Sequence, residues 1–279
     1  SDLRFTEDET SAYLNDLMGF ELSPDQIEVL EARTEGWIAG LQLAALSMQD
    51  RDDKREFVEA FAGSHRFIID YLVDEVLSRQ SDEVQRFLRW TSVLERFNAP
   101  LCNAVTDMPD SQAILQHIEQ ANLFLIPLDD DRRWFRYQHL FAEFLLQRLE
   151  ESEPGLIPEL HMRASQWFAD EGWADEAIDH AIAGDSFEHA ASLIERVAPT
   201  LVQNEEFHTL INWVTKLPDS ALPSHPVLCL QYAWSLHFSG QVDAVEPLLE
   251  MAEANQHLAP NASVPALADV TRAAVASGQ

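Results

Sequence analysis

Carboxylates are the most numerous residues in this sequence that could carry chemistry, since Asp and Glu number 48 against 18 Lys and Arg. The run Asp129–Asp131 places three acids side by side, a pattern that could hold a cation. Asp is also favoured in tight turns, because its side chain accepts hydrogen bonds from the backbone that follows it. The turn accounts for the run without a ligand, so no metal site is predicted here.

Motifs of catalysis and nucleotide binding are missing from the sequence. There is no GxxxxGK(S/T) phosphate loop, no GxGxxG, no HExxH and no GxSxG, and the ten His follow no metal-like spacing. A hydrolase using paired carboxylates would need two acids that converge on one pocket, and no such pair can be named. The sequence therefore predicts no catalytic residues, no metal ligands and no enzymatic activity for this chain.

Composition and charge restrict the partners. A hydrophobic content of 46% is typical of a folded protein, while a formal net charge of −30 repels phosphate groups. We therefore expect no direct contact with nucleic acid and none with a membrane. No stretch approaches the roughly 20 apolar residues that span a bilayer, and the first residues do not resemble a signal peptide, which predicts a cytoplasmic protein. Cys102 and Cys229 are predicted to be buried thiols.

Helical signals dominate residues 1–79, which are predicted to form a helical subdomain. Thr6 with Glu9 has the pattern of a capping box, and Ser23 with Gln26 has it again. Apolar residues then recur at intervals of three and four positions in the stretches 37–48 and 64–79.

Residues 80–150 are predicted to form a winged-helix domain. Ser81, Asn98 and Asp110 are each placed to cap a short helix. A short apolar run over 123–128 and an alternating, aromatic stretch over 134–137 then predict a β-hairpin, and helical spacing returns from His139. Three short helices followed by a hairpin and a further helix are the order of this fold.

The charges of the predicted winged helix argue against DNA binding. The fold usually places its third helix in the major groove. No Lys or Arg occurs between Phe97 and Asp131, so that helix has nothing with which to neutralise phosphates. Arg132, Arg133 and Arg136 lie on the hairpin instead, where they could meet a phosphate or an acidic domain face, or could form ordinary surface.

Residues 151–279 are predicted to form TPR-like helical repeats after a linker over 151–158. Trp167 and Ala177 are ten residues apart, as are Trp234 and Ala244, and a Gly lies inside each interval. Helix pairs that recur at a few tens of residues indicate a solenoid. Aromatic residues could line an inducer groove in these repeats, although packing between repeats explains them as well. The residues concerned are Trp167, Trp173, Trp213 and Trp234.

Two segments, Thr34–Leu46 and Phe135–Leu145, resemble the MalT-like branch of the LuxR transcription regulators, which belong to the STAND ATPase class. The resemblance implies a parent protein with a P-loop nucleotide-binding domain, a helical subdomain, a winged helix, a helical-repeat sensor and a C-terminal helix-turn-helix. This sequence matches the middle three. The missing nucleotide-binding domain is thus an expected partner, and ATP or ADP is implied for the parent protein but not for this piece alone.

The resemblance also implies site residues. The Gly-x-Pro that lines the adenine pocket in the class falls on Gly36, Trp37 and Ile38, so the proline is absent. The His that reaches the nucleotide phosphates falls on Gln138, with His139 one position later and Arg136 two positions before. Because Gln can donate a hydrogen bond but carries no charge, His139 or Arg136 could supply the contact instead.

The expected function is therefore that of a regulatory middle segment. It would couple inducer binding on the repeats to an ADP/ATP switch and to self-association of a transcriptional activator. The alternative is a free-standing TPR-like interaction scaffold with no nucleotide role, which a reading frame covering only these residues would favour.

Overall fold

The computed structural model describes residues 4–34, 36, 38–49, 54, 57–58, 77, 80–120, 123–260 and 262–277. Within these ranges the protein is mainly α-helical and contains a two-stranded antiparallel sheet. The predicted fold class is confirmed. The chain divides into two units, Ser1–Pro154 and Gly155–Gln279. Apart from Leu77, the helix predicted over 64–79 lies outside the described residues.

Side-chain caps fix the start of the first two helices. At α1 (Glu7–Ser11), the Thr6 hydroxyl accepts from the Glu9 N–H while the Glu9 carboxylate accepts from the Thr6 N–H. Ser23 and Gln26 make the same reciprocal pair before α2 (Pro24–Thr34). Both predicted capping boxes are confirmed. A π-helical segment (Ala12–Leu17) follows α1, and α3 spans Ile38–Gln49.

The next elements have the predicted winged-helix order. They are α4 (Asp82–Thr91), α5 (Ala99–Thr106), α6 (Ser111–Gln120), β1 (Leu125–Pro127), β2 (Phe135–Tyr137) and α7 (His139–Ser152). Ser81 accepts from the Val84 N–H to cap α4, and Asn98 accepts from the Leu101 N–H to cap α5. Side chains that offer an oxygen to free helical N–H groups thus define these starts.

The hairpin is held against the helices by β2. Leu125 pairs with Tyr137 across the two strands. Phe97 adds an isolated bridge, in which its N–H and that of Phe135 each donate to the other's carbonyl at 2.8 Å. The hydroxyls of Tyr137 and Thr91 lie 2.7 Å apart, which ties the strand to the end of α4. Phe97, Phe135, Tyr137 and Thr91 are all buried, so the strand cannot shift without exposing two aromatic rings and breaking buried hydrogen bonds.

The second unit is a series of helices. They are α8 (Ile157–Asp170), α9 (Ala174–Ala183), α10 (Phe187–Gln203), α11 (Phe207–Val214), α12 (Pro226–Phe238), α13 (Val245–Ala254) and α14 (Val264–Ser277). The buried Ser165 hydroxyl donates to the Ala177 carbonyl at 2.6 Å, which joins α8 to α9. A 3-10 helix (Asp219–Ser224) precedes α12.

In the predicted repeat, the two glycines have equivalent conformations but the two alanines do not occupy equivalent positions. Gly172 and Gly240 both adopt a positive φ, 82° and 79°, as the breaks between helices require. Ala177 is buried inside α9, whereas Ala244 is exposed at the end of a 3-10 turn (Val242–Ala244). The prediction that Ala177 and Ala244 occupy equivalent positions was therefore wrong, because Ala244 lies in a 3-10 turn where Ala177 lies in an α-helix.

The stretch predicted as a linker, 151–158, is mostly helical. Helix α7 continues to Ser152, a 3-10 turn covers Pro154–Leu156, and Pro158 lies in the first turn of α8. Proline is tolerated there because the first helical N–H groups have no partner within the helix. The prolines thus mark helix starts, while the division between the two units, between Pro154 and Gly155, falls inside the predicted linker.

Candidate functional site

Gly36 closes the end of α2 in a conformation that only glycine adopts easily. Its φ is +67°, and its N–H donates to the Glu31 carbonyl at 3.0 Å. The Phe5 N–H donates to the Gly36 carbonyl at 2.7 Å, so the N-terminal segment before α1 lies directly on this residue. A Cβ at Gly36 would lie 2.2 Å from the Phe5 carbonyl oxygen. The residue is therefore required by a close approach of two backbones.

The other two members of the predicted adenine motif are placed less fully. Ile38 is half-buried and is the first residue of α3. Trp37 lies outside the described residues. The motif thus occupies the connection between α2 and α3, and its role in binding adenine stays a prediction.

Gln138 is buried, with only 3% of its surface exposed, and it is the N-cap of α7. Its Oε1 accepts from the Phe141 N–H at 3.1 Å, and its Nε2 donates to the Thr34 carbonyl at 3.4 Å. Thr34 is the last residue of α2, two positions before Gly36. The side-chain amide therefore joins the winged helix to the end of the helix that leads into the Gly36 motif.

A second contact between the same two helices lies nearby. The Arg33 guanidinium on α2 approaches the Glu143 carboxylate on α7 at 3.9 Å. His139, which is exposed, places its Nε2 2.9 Å from the other oxygen of Glu143, one helical turn along. Glu143 thus links His139 to α2, while Gln138 reaches α2 through its own amide. The structure brings these residues to one end of α2.

Arg136 is half-buried on β2, where it pairs with Ile126, and its guanidinium donates to the Tyr137 carbonyl at 3.3 Å. The other two hairpin arginines contact acids of their own domain, Arg132 with Glu119 and Arg133 with Asp131. These two contacts are those expected for ordinary wing surface. The structure does not test whether Arg136 reaches a phosphate.

The acidic run of the hairpin forms its turn. The N–H groups of Arg133 and Trp134 both donate to Asp129 Oδ1, at 2.7 and 3.3 Å. Asp129 thus accepts from backbone N–H groups on the far side of the turn, four and five residues on. Across the described ranges, no three His, Cys, Asp or Glu side chains are grouped as metal ligands.

The four tryptophans of the second unit serve mainly in packing. Trp213 is buried, while Trp167, Trp173 and Trp234 are half-buried. The Phe168 ring lies 5.2 Å from Trp167 and 5.9 Å from Trp173. A cleft of about 460 Å³ lies elsewhere, at the start of α10, and none of the four Trp lines it. Its lining includes Met162, Phe187, Glu188, His189 and Pro218.

Sequence reasoning missed a cluster in the second unit, His225 with Glu188 and Glu195. His225 is 30 and 37 positions from the two glutamates, and no short-range pattern in the sequence connects it to them. Among the described helices, none is long and apolar enough to cross a membrane.

Comparison with known proteins gives consistent matches. Residues 73–157 match the family described as the MalT winged helix domain. The serine/threonine-protein kinase PknK of Mycobacterium tuberculosis is 36% identical over 278 residues, which cover 97% of this chain and 25% of the kinase. The HTH-type transcriptional regulator MalT of Klebsiella pneumoniae is 32% identical over 255 residues, and that of Vibrio parahaemolyticus is 29% identical. In both, the match covers 90% of this chain and 28% of the regulator. The chain spans about a quarter of the length of these relatives.

Proposed function

This chain is a MalT-like protein segment, and we propose that it is the regulatory middle part of a cytoplasmic, signal-responsive transcriptional activator. In this proposal the segment couples inducer binding on the helices of the second unit to an ADP/ATP switch and to self-association of the parent protein. Its main partner is the nucleotide-binding domain, which carries the phosphate-binding loop. The segment itself performs no catalysis and contacts no nucleic acid.

The contact between Gln138 and the Thr34 carbonyl is the observation on which the proposal depends. A switch needs an element whose position both ligands can bias. Helix α2 ends at Thr34 and leads directly into the Gly36 turn, while α7 follows the hairpin and has Gln138 as its N-cap. A change at the Gly36 turn is therefore transmitted to the winged helix through this buried amide, supported by Arg33 and Glu143.

The relatives support a coupling role over an output role. The same stretch is matched in a protein named as a kinase and in proteins named as transcriptional regulators. A segment used with different output activities is suited to sensing or relaying a signal. The regulators' name motivates the choice of transcription as the output here.

We expect the 279 residues alone to bind ATP and ADP weakly or not at all, because no phosphate loop is present to cradle the phosphates. Isothermal titration calorimetry with each nucleotide tests this. The matched control is the same chain joined to the nucleotide-binding domain of its parent protein, which is expected to bind. Micromolar ATP binding by the 279 residues themselves would contradict the proposal that nucleotide binding requires the nucleotide-binding domain.

Gln138→Glu is expected to loosen α2 from α7. The substitution keeps the oxygen that accepts from the Phe141 N–H, but it places a carboxylate against the Thr34 carbonyl, so the buried acceptor loses its donor. A buried group left without its partner costs about 1–3 kcal/mol. Native-state hydrogen exchange should show faster exchange in α2 and in the first turn of α7.

Gln147→Glu is the matched control, since Gln147 is an exposed residue of the same helix. It should leave exchange in α2 unchanged. In the parent protein, Gln138→Glu should change the response of transcription to inducer, and Gln147→Glu should not. Equal behaviour of the two variants in both assays would remove Gln138 from the coupling path.

A further inference from the structure

The cluster around His225 lies between two helices of the second unit. His225 immediately precedes α12 and is 8% exposed. Its Nδ1 lies 3.2 Å from a Glu195 oxygen, and its Nε2 lies 3.2 Å from a Glu188 oxygen. Both glutamates are on α10, seven residues apart, which is two turns along one face. The imidazole is therefore gripped on both sides by carboxylates of one helix.

This geometry favours a protonated ring. A neutral imidazole has one N–H and one lone pair, whereas an ionised carboxylate only accepts. A neutral His225 can therefore satisfy one of the two glutamates and must turn a lone pair toward the other. An imidazolium donates to both. The Glu195 carboxylate is held in place by the Leu228 N–H, which donates to its second oxygen at 3.1 Å.

We propose that His225 is a proton-controlled clamp between α10 and α12. With the proton bound, the clamp holds the two helices through Glu188 and Glu195. When the proton leaves, one carboxylate is released and the packing of α12 on α10 loosens. The second unit thereby has a conformation that depends on pH, a property separate from inducer and nucleotide binding.

The charges around the ring favour the protonated form. The hydrogen bond with Glu195 raises the pKa of His225, burial opposes the rise, and Glu188 adds to it. Burial alone would raise the pKa of Glu195, but hydrogen bonds from His225 and from the Leu228 backbone outweigh it and lower the pKa. On the neighbouring elements, burial and then Asp219 of the 3-10 helix raise the pKa of Tyr232 on α12, and burial and then Glu195 raise the pKa of the Cys229 thiol.

These shifts define the pH range in which the clamp acts. A His whose pKa is raised by folding stabilises the fold fully below its ordinary value of 6.5 and loses that contribution as pH rises through the raised pKa. The Glu195 contribution is present above its ordinary value of 4.5 and is lost only in acid. The clamp should therefore be closed between pH 4.5 and pH 6.5 and should open as the pH rises through the raised pKa of His225.

Histidine-selective NMR on the full 279-residue chain tests the proposal over pH 6 to pH 9. His225→Gln identifies the resonance that belongs to His225. We expect that resonance to titrate above 6.5 and to return toward that ordinary value in Glu195→Gln and, to a smaller extent, in Glu188→Gln. Burial lowers the pKa of His161 and His180, so neither obscures this range. A His225 that titrates at or below its ordinary value in the unsubstituted chain would overturn the proposal.

Hydrogen exchange at the Leu228 amide supplies the conformational readout. At each pH, the protection of the Leu228 amide against exchange is measured in the unsubstituted chain and in His225→Gln. The Gln side chain cannot gain a proton. The clamp predicts that protection differs between the two at pH 6 and converges by pH 9. His208→Gln, at an exposed residue of α11, is the matched control and should behave like the unsubstituted chain. A difference that stays constant across the range would mean that His225 only packs, and the proposal would fail.

Discussion

Gly36→Ala is expected to destabilise the first unit by about 2–5 kcal/mol, through two penalties that act together. A residue with a Cβ costs about 1–2 kcal/mol in the left-handed conformation that Gly36 adopts. The new Cβ would also lie 2.2 Å from the Phe5 carbonyl oxygen, and because that atom is backbone it cannot rotate away. Relieving such an overlap by moving backbone typically costs about 1–3 kcal/mol.

Gly19→Ala separates the two penalties. Gly19 has a similar φ of +69°, but a Cβ there would have nothing within 4 Å. It should therefore show the conformational cost alone. Native-state hydrogen exchange of residues in α1 and α2 measures both variants, with the second unit as an internal reference. Equal losses in the two variants would show that the N-terminal segment does not lie on Gly36 as described.

Local signals in the sequence were sufficient to predict where several helices begin. Thr6, Ser81 and Asn98 each place a side-chain oxygen where free N–H groups of the next turn must find an acceptor, and each makes the expected bond. The hairpin could be predicted equally well, because a short apolar run and an alternating aromatic stretch flank a turn that Asp129 caps. In these places the partner lies within a few residues, so spacing alone identifies it.

The candidate site could be predicted only in part, because its contacts join residues that are far apart in the sequence. The resemblance singled out Gln138, but its partner is the Thr34 carbonyl, 104 positions earlier in the chain. A backbone carbonyl has no residue type, so no pattern in the sequence could have indicated this acceptor. The cluster of His225 with Glu188 and Glu195 was missed likewise, since the chain folds through α11 between its members.

Phe141→Ala is expected to destabilise the winged helix by about 3–5 kcal/mol, the usual cost of emptying a buried aromatic position. Phe141 has no exposed surface, and its ring lies 4.7 Å from that of Phe124 and 5.6 Å from that of Tyr137. Its N–H is also the group that the Gln138 side chain accepts from. Loss of the ring should therefore release both the hairpin and the start of α7.

Leu128→Ala is the matched control, because this hairpin residue is 46% exposed and its truncation leaves no cavity. Urea titration followed by the fluorescence of the tryptophans should show the early loss of one unit in Phe141→Ala and no such change in Leu128→Ala. The comparison also bears on the resemblance, since Phe141 belongs to the segment that first suggested a nucleotide switch. If Phe141→Ala leaves the winged helix as stable as Leu128→Ala does, the packing described here is wrong. If the winged helix unfolds in Phe141→Ala, Phe141 serves that segment through its packing in the core. The proposed coupling between α2 and α7 then depends on that packing.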